Sequence, residues 1–343
     1  MLKETEFGLK ETKNLLHNDF LNLALISRNI YKYHRNLDQI LDSDYKNLYV
    51  ITGRCPSKKL NIIHLVHYKF LADLQKKFNS KVIVCIGPEE AFLLNKYTLD
   101  EAVKFANNDI KHILSTGFDT KNTYFIIPTK NLSTKLFNLT LEVSRRITLN
   151  QLLNVLGRKY FKSSGSVLIP LLEMAEILYP SYYFNANSLL VFSLTQEVYL
   201  RIAEDLSRQL KIKKPAGLFY RRIKDLKGGI RKKSTDTGAI YLEDSFDIIT
   251  NKIFNAFTGG RDTKTEQKKY GGKPSVCPIF EYFNFFEEDD KKLQEIEKNC
   301  VSGGTLCHEC KSMLLELIKK FVEKHKESYN KTSDEVLLEM NML

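Results

Sequence analysis

The chain has 343 residues, 43% of them hydrophobic and 27% charged, which excludes wholesale disorder and suggests about two domains. No uncharged run reaches the ~18 apolar residues of a membrane span, residues 1–6 lack a signal-type apolar stretch, and six cysteines suit a reducing compartment, so a cytosolic protein is expected. Lys plus Arg number 52 against 41 Asp plus Glu, a formal charge of +11, which favours a polyanionic partner through counterion release.

Residues 1–45 are expected to be a mostly helical extension: Phe20–Ile26 is apolar, and Leu37, Ile40 and Leu41 have helical spacing. Leu48–Ile51 reads as a short buried strand ended by Thr52-Gly53-Arg54-Cys55-Pro56-Ser57. Ile63, Val66, His67, Phe70, Leu71, Leu74 and Phe78 then fall at three-and-four spacing, the pattern of an amphipathic helix, and Lys81–Ile86 reads as a second strand. Strand, helix, strand with short connections is a βαβ unit, which builds parallel sheets. Thr98 and Glu101 form a capping-box signature for a helix that Gly117 stops.

Further strands are expected at Tyr124–Ile127 and Leu189–Phe192, separated by a mostly helical insertion at about 131–180 that Pro170 interrupts. The α/β core of Rossmann type is therefore placed at 46–243. Residues 244–343 lose the alternation and read as a helical second domain, with a Gly-rich polar loop over 258–275 and a long helix through Met313–Lys326.

Three places carry candidate chemistry. The turn after the first core strand lies where open parallel sheets bind ligands, ahead of a helix N-terminus that favours phosphate. Arg54, Ser57, Asn61 and His64 are its candidate nucleotide contacts, although neither a G-x-G-x-x-G nor a Walker A pattern is present. Lys211–Lys233 holds ten basic residues against one acid, Asp225, with Phe219 and Tyr220 interleaved. With the mobility of Gly228-Gly229 it reads either as a clamp on phosphates or as a solvated loop. Cys300, Cys307, His308 and Cys310 offer zinc-type donors within eleven residues, but no second C-x-x-C supports them, and packed thiols are the preferred reading.

Several motifs then fall in a familiar order. Ile51-Thr52-Gly53-Arg54-Cys55-Pro56-Ser57, Tyr97–Ala102 with Gly117-Phe118-Asp119, Thr258-Gly259-Gly260-Arg261-Asp262-Thr263, Tyr270-Gly271-Gly272, Phe285–Asp290 and Val301-Ser302-Gly303-Gly304 resemble the eukaryotic and archaeal-type tryptophanyl-tRNA synthetases, collinearly from about residue 20 to the end. The resemblance implies a class I synthetase Rossmann domain with a C-terminal helical anticodon-binding domain. It implies activation of tryptophan with ATP and Mg²⁺, transfer to tRNA, and a homodimer. It also offers His64, Asn61, Lys232 and Lys233 as catalytic residues. Arg54, Ser57, His64 and Ser234 become ATP contacts, Ile51, Cys85, Glu90 and Gln196 the amino-acid pocket, and Arg261, Lys264 and Lys268 tRNA contacts. No metal ligand is assigned.

The signatures are altered. The HIGH motif is matched by Asn61-Ile62-Ile63-His64, in which a branched Ile63 replaces the glycine against which adenine lies. The KMSAS loop corresponds to about Arg231–Asp236 and AIDQ to Ser193-Leu194-Thr195-Gln196. Ile51 and Cys85 stand for the family's tyrosine and glutamine, so an indole N–H loses partners at about 1–3 kcal/mol for each polar group left unpaired. These changes admit a divergent tryptophan–tRNA ligase, a catalytically inactive paralogue that binds tRNA or protein, or a ligase of altered amino-acid specificity.

Overall fold

A computed structural model describes residues 8–15, 22–43, 45–94, 96–229, 238–333 and 341–343. The strands are β1 (Lys10–Glu11), β2 (Tyr31–Arg35), β3 (Leu48–Arg54), β4 (Lys81–Ile86), β5 (Thr123–Ile126), β6 (Asn187–Ser193), β7 (Ala216–Tyr220) and β8 (Asn341–Met342). They form one sheet in the order β1-β2-β7-β6-β3-β4-β5-β8. From β7 across to β8 every pairing is parallel; β1 and β2 add antiparallel to the β7 edge.

Twelve helices longer than five residues lie around the sheet among the described residues. They are α1 (Ile62–Phe78), α2 (Pro88–Leu93), α3 (Leu99–Leu114), α4 (Thr134–Arg146), α5 (Leu149–Leu156), α6 (Leu168–Phe184), α7 (Glu197–Leu210), α8 (Phe246–Phe254), α9 (Lys264–Tyr270), α10 (Pro278–Phe286), α11 (Asp290–Ser302) and α12 (Cys307–Lys331). The capping box expected at Thr98 is formed: the Glu101 N–H donates to Thr98 Oγ1, and the Thr98 N–H donates to Glu101 Oε2. That closes two orphan donors at the start of α3.

The sheet has an apolar cluster on each face. One holds α1 and α3 together with Ile279, Tyr282 and Phe283 of α10 and Leu314, Ile318 and Val322 of α12. The other packs α4, α6 and α7 onto Ile51, Ile83, Ile126 and Leu190. The C-terminal helices thus share a core with α1, and no break in packing marks residue 243. Truncating fully buried Phe283 to alanine would remove about 3–5 kcal/mol from that shared core.

The structure departs from the sequence reading in four places. The extension over 1–45, expected to be mostly helical, has short helices at Ala24–Ser27 and Leu37–Leu41, the second over the expected Leu37, Ile40 and Leu41, but also supplies β1 and β2. Tyr31 and Tyr33 bury their rings, and Asn29 and Asn36, both left-handed at φ 57° and 55°, bracket the strand. Part of the basic segment is not loop but β7, whose Leu218 and Phe219 are fully buried. Pro170 does not interrupt the insertion: it sits in the first turn of α6, where its missing N–H has no intrahelical partner to lose. The polar loop over 258–275 contains α9, started by a Thr263–Glu266 capping box.

The motif glycines of this region are there for close approach. Gly271 has φ +64°, and a Cβ on it would fall on the Val301 carbonyl oxygen. Any side chain would push α9 and α11 apart.

Candidate active site

Strand order reverses between β3 and β6: β4 and β5 lie to one side of β3, β6 and β7 to the other. Open parallel sheets bind ligands at such a reversal, beyond the carboxyl ends of the strands. A cavity of about 440 Å³ lies there, walled by the ends of β3, β4, β6 and β7 and by α6. It brings together Ile51, Cys85, Glu90 and Gln196, the four residues expected in the amino-acid pocket, with Arg54, Ser57 and His64.

Each side chain is placed by a local reason. Gly53 lets β3 run close to β4, since a Cβ there would meet the Cys85 carbonyl oxygen at 2.6 Å. His64 lies in the first turn of α1. Arg54, with only 6% of its side chain exposed, spreads its donors inward. Nε bonds Asp109 Oδ2 at 2.6 Å, Nη1 bonds His64 Nδ1 at 2.7 Å, and Nη2 bonds Ser57 Oγ at 2.8 Å. Ser57 in turn donates to the Lys59 carbonyl at 3.0 Å. The two expected nucleotide contacts Arg54 and Ser57 are therefore engaged within the protein.

Asn61 does not line the cavity. It is 1% exposed, and its side-chain oxygen accepts from the Ile63 N–H at 2.8 Å, capping α1. Asparagine is a favoured cap because its carbonyl reaches the first free helical N–H groups. Ile63, expected to crowd the adenine path, packs in the core at 4% exposure and is not among the cavity's lining residues. Lys232, Lys233 and Ser234 lie outside the described residues.

The cavity's most distinctive feature is a group of four acids, of which the sequence pointed only to Glu90. Glu89 and Glu90 open α2, and Glu173 and Glu176 project from successive turns of α6; all four reach the lining. Glu176 is 8% exposed and interacts electrostatically with the Cys85 thiol. Burial, reinforced by Glu89, pushes its carboxyl up to about 8. Burial pushes Glu89 up to about 7.

Glu90 is also pushed up by burial, although Lys96 Nζ stands 3.6 Å away and also bonds Cys55 Sγ at 3.2 Å. Glu173 is raised by burial and then by Glu90 and Glu176, and shares the cavity wall with Tyr199. One oxygen each of Glu89 and Glu173 is buried with no hydrogen-bond partner among the described residues. Deeper still, His67 is clasped between Thr52 Oγ1 at 2.9 Å and the Tyr31 hydroxyl at 2.6 Å, and burial holds it down to about 3, neutral at physiological pH. The site can thus hold a ligand carrying a cationic group and a hydrogen-bond donor over an apolar floor.

A signal for Glu173 and Glu176 existed: they are acids three residues apart inside an otherwise apolar helix. For Asp109 there was none, because it follows Asn107 and Asn108 on what reads as a polar face.

The other candidates sit elsewhere. Arg261 donates from Nε to the Gly271 carbonyl at 2.9 Å, tying down the end of α9, while Lys264 and Lys268 are exposed on that helix. Cys300, Cys307 and Cys310 surround a small apolar cavity with Cys277. Burial pushes Cys300 up to about 11 and Cys310 up to about 12. Among the described residues no group of three or more His, Cys, Asp or Glu is arranged to hold a metal ion, and no helix is long and apolar enough to cross a membrane.

Residues 44–323 match the family of tRNA synthetases class I (W and Y). The chain is 34% identical to the tryptophan–tRNA ligase of Pyrobaculum calidifontis over 91% of this chain and 85% of that one. It is 33% identical to the cytoplasmic tryptophan–tRNA ligase of Dictyostelium discoideum over 91% and 82%. Among solved structures, the tryptophanyl-tRNA synthetase of Encephalitozoon cuniculi bound to tryptophan superimposes with a TM-score of 0.87 at 28% identity, covering 97% of this chain and 93% of that one.

Proposed function

We propose, from a chain that belongs to the class I tRNA synthetases and within them to the tryptophan–tRNA ligases, that it activates tryptophan with ATP and transfers it to tRNA. The observation that carries this reading is the single cavity at the strand-order reversal. It joins a retained histidine at the mouth of α1 to a pocket with carboxylates for an α-ammonium and an apolar floor for a ring. The alternative of an inactive binding paralogue gains no support from relatives that are themselves ligases.

In this reading Glu90 and Gln196 hold the α-amino group, and the indole lies over Ile51 and Leu190. The missing tyrosine and glutamine partners of the indole N–H are replaced by Glu176, held against Cys85. A tryptophan carboxylate oxygen bonds to the α-phosphorus of ATP as the bond to the pyrophosphate oxygen breaks. The protein's task is in-line positioning and charge stabilisation, with His64 Nε2 directed at the phosphates. Mg²⁺ would arrive on the phosphates of the nucleotide, as suits an ion bound through substrate oxygens and water rather than a protein cage.

Lys232 and Lys233 would serve as catalytic residues and Ser234 as an ATP contact, with Lys264 and Lys268 as tRNA contacts. A homodimer would cover the insertion, where Phe137 and Leu141 of α4 and Leu149 and Val155 of α5 are 42–53% exposed, an apolar surface suited to a second copy. The N-terminal extension with α1–α7 forms the catalytic unit and α8–α12 the anticodon-binding unit, in a cytoplasmic protein.

The test is charging of tRNA by the purified chain with each amino acid in turn. Tryptophan-specific charging supports the reading. Charging with another amino acid alone, or none under conditions that support a relative, refutes it.

A further inference from the structure

We propose that Asp109 is a positioning residue that acts through Arg54 to fix the tautomer and aim of His64. This deepens the reading above and rests on it for its link to catalysis. Asp109 does not line the cavity. It reaches Arg54 from α3, with 2% of its side chain exposed, and meets Nε at 2.6 Å. The same guanidinium meets His64 Nδ1 at 2.7 Å and Ser57 at 2.8 Å.

An arginine side chain has donors only. His64 Nδ1 must therefore accept, and the ring proton of the neutral imidazole sits on Nε2. The imidazole then offers an N–H donor on the nitrogen away from Arg54, as a residue of the cavity wall. That is the form needed to bond an anionic phosphate oxygen.

The arginine's planar fork is what makes the coupling directional. It holds Asp109 on one edge and His64 with Ser57 on the other, so removing the carboxylate frees a buried cation to turn toward other acceptors. Glu243 is one such alternative charge, since it interacts electrostatically with Arg54. Once the fork turns, His64 loses the donor on Nδ1 that keeps its ring proton on Nε2.

The experiment is long-range ¹H–¹⁵N correlation spectroscopy on the full chain labelled at histidine, with His64 assigned by its loss in His64→Asn. The wild type is expected to show an unprotonated, hydrogen-bonded Nδ1 and a protonated Nε2. Asp109→Asn should give mixed tautomers. Arg54→Lys, which keeps the charge beside Asp109 but not the fork, should give the same mixture and guards against a folding defect of the first variant.

In tryptophan-dependent pyrophosphate exchange, Asp109→Asn should lower kcat about 10–100-fold, the scale of a small misplacement of a reacting group, with KM for tryptophan within about threefold. Added to His64→Asn it should cost nothing further. A wild-type His64 protonated on Nδ1, an unchanged spectrum in Asp109→Asn and Arg54→Lys, or the same cost of Asp109→Asn with and without His64 overturns the proposal. Because the spectrum needs no activity, a chain with the expected tautomer that fails to activate tryptophan refutes the functional reading and leaves the positioning role standing.

Discussion

Cys85, at the end of β4, and Glu176, in the middle of α6, stand together on the cavity wall, close enough to interact electrostatically. In the proposed reading the pair stands where the sequence alone left an indole N–H without partners. Replacing Glu176 with leucine is expected to lower kcat/KM for tryptophan about 10–100-fold, the cost of about 1–3 kcal/mol for an unpaired polar group. The same variant should treat 1-methyltryptophan and tryptophan alike, whereas the wild type prefers tryptophan. Retained preference in the variant would mean that another group reads the indole nitrogen.

Burial gives the pocket a pH dependence of predictable sign. Glu89 titrates near 7 and Glu176 near 8, so both are largely neutral at pH 6 and ionise as the pH rises. A bound ammonium favours the ionised form. KM for tryptophan is therefore expected to fall several-fold between pH 6 and pH 8, and Glu89→Gln should remove the lower part of that change. A KM that is flat or rises over this range would contradict the assignment of these acids to the amino-acid pocket.

Asn61 tests whether the altered HIGH motif is structural or catalytic at its first position. Its side chain caps α1 at the Ile63 N–H, so Asn61→Ala should lower stability to urea by about 0.5–2 kcal/mol. Asn61→Ser, which keeps a capping oxygen, should come close to wild type in both stability and exchange rate. A large loss of exchange in Asn61→Ser at unchanged stability would return Asn61 to the catalytic set.

The exposed apolar residues of α4 and α5 make the assembly testable. Leu141→Glu, at a position 51% exposed, should turn a dimer into monomers in sedimentation velocity without unfolding the chain. A wild type that sediments as a monomer at micromolar concentration would refute the homodimer.

Much of the sheet domain was legible because its elements carry clear local signals: β4 follows from a continuous apolar run, α1 from three-and-four spacing and α3 from a capping box. What escaped was set by tertiary context. β2 is short and carries Lys32, His34 and Arg35, and β7 is a five-residue strand inside a basic stretch; their pairing, with β6 on the far side of β7 and Phe70 against Tyr31, helps bury Tyr31 and Phe219. In the site, motif order pointed to Ile51, Cys85, Glu90, Gln196 and His64, which do share one cavity. It did not reveal that Arg54 turns inward, because the partner that turns it, Asp109, is 55 residues away in sequence.

The measurement that bears most directly on the whole account is tryptophan-dependent ATP–pyrophosphate exchange by the purified chain. The account predicts exchange above background with tryptophan and not with tyrosine or phenylalanine, lost in Glu90→Ala. Absence of exchange, together with no detectable binding of ATP or tryptophan by titration, would contradict it.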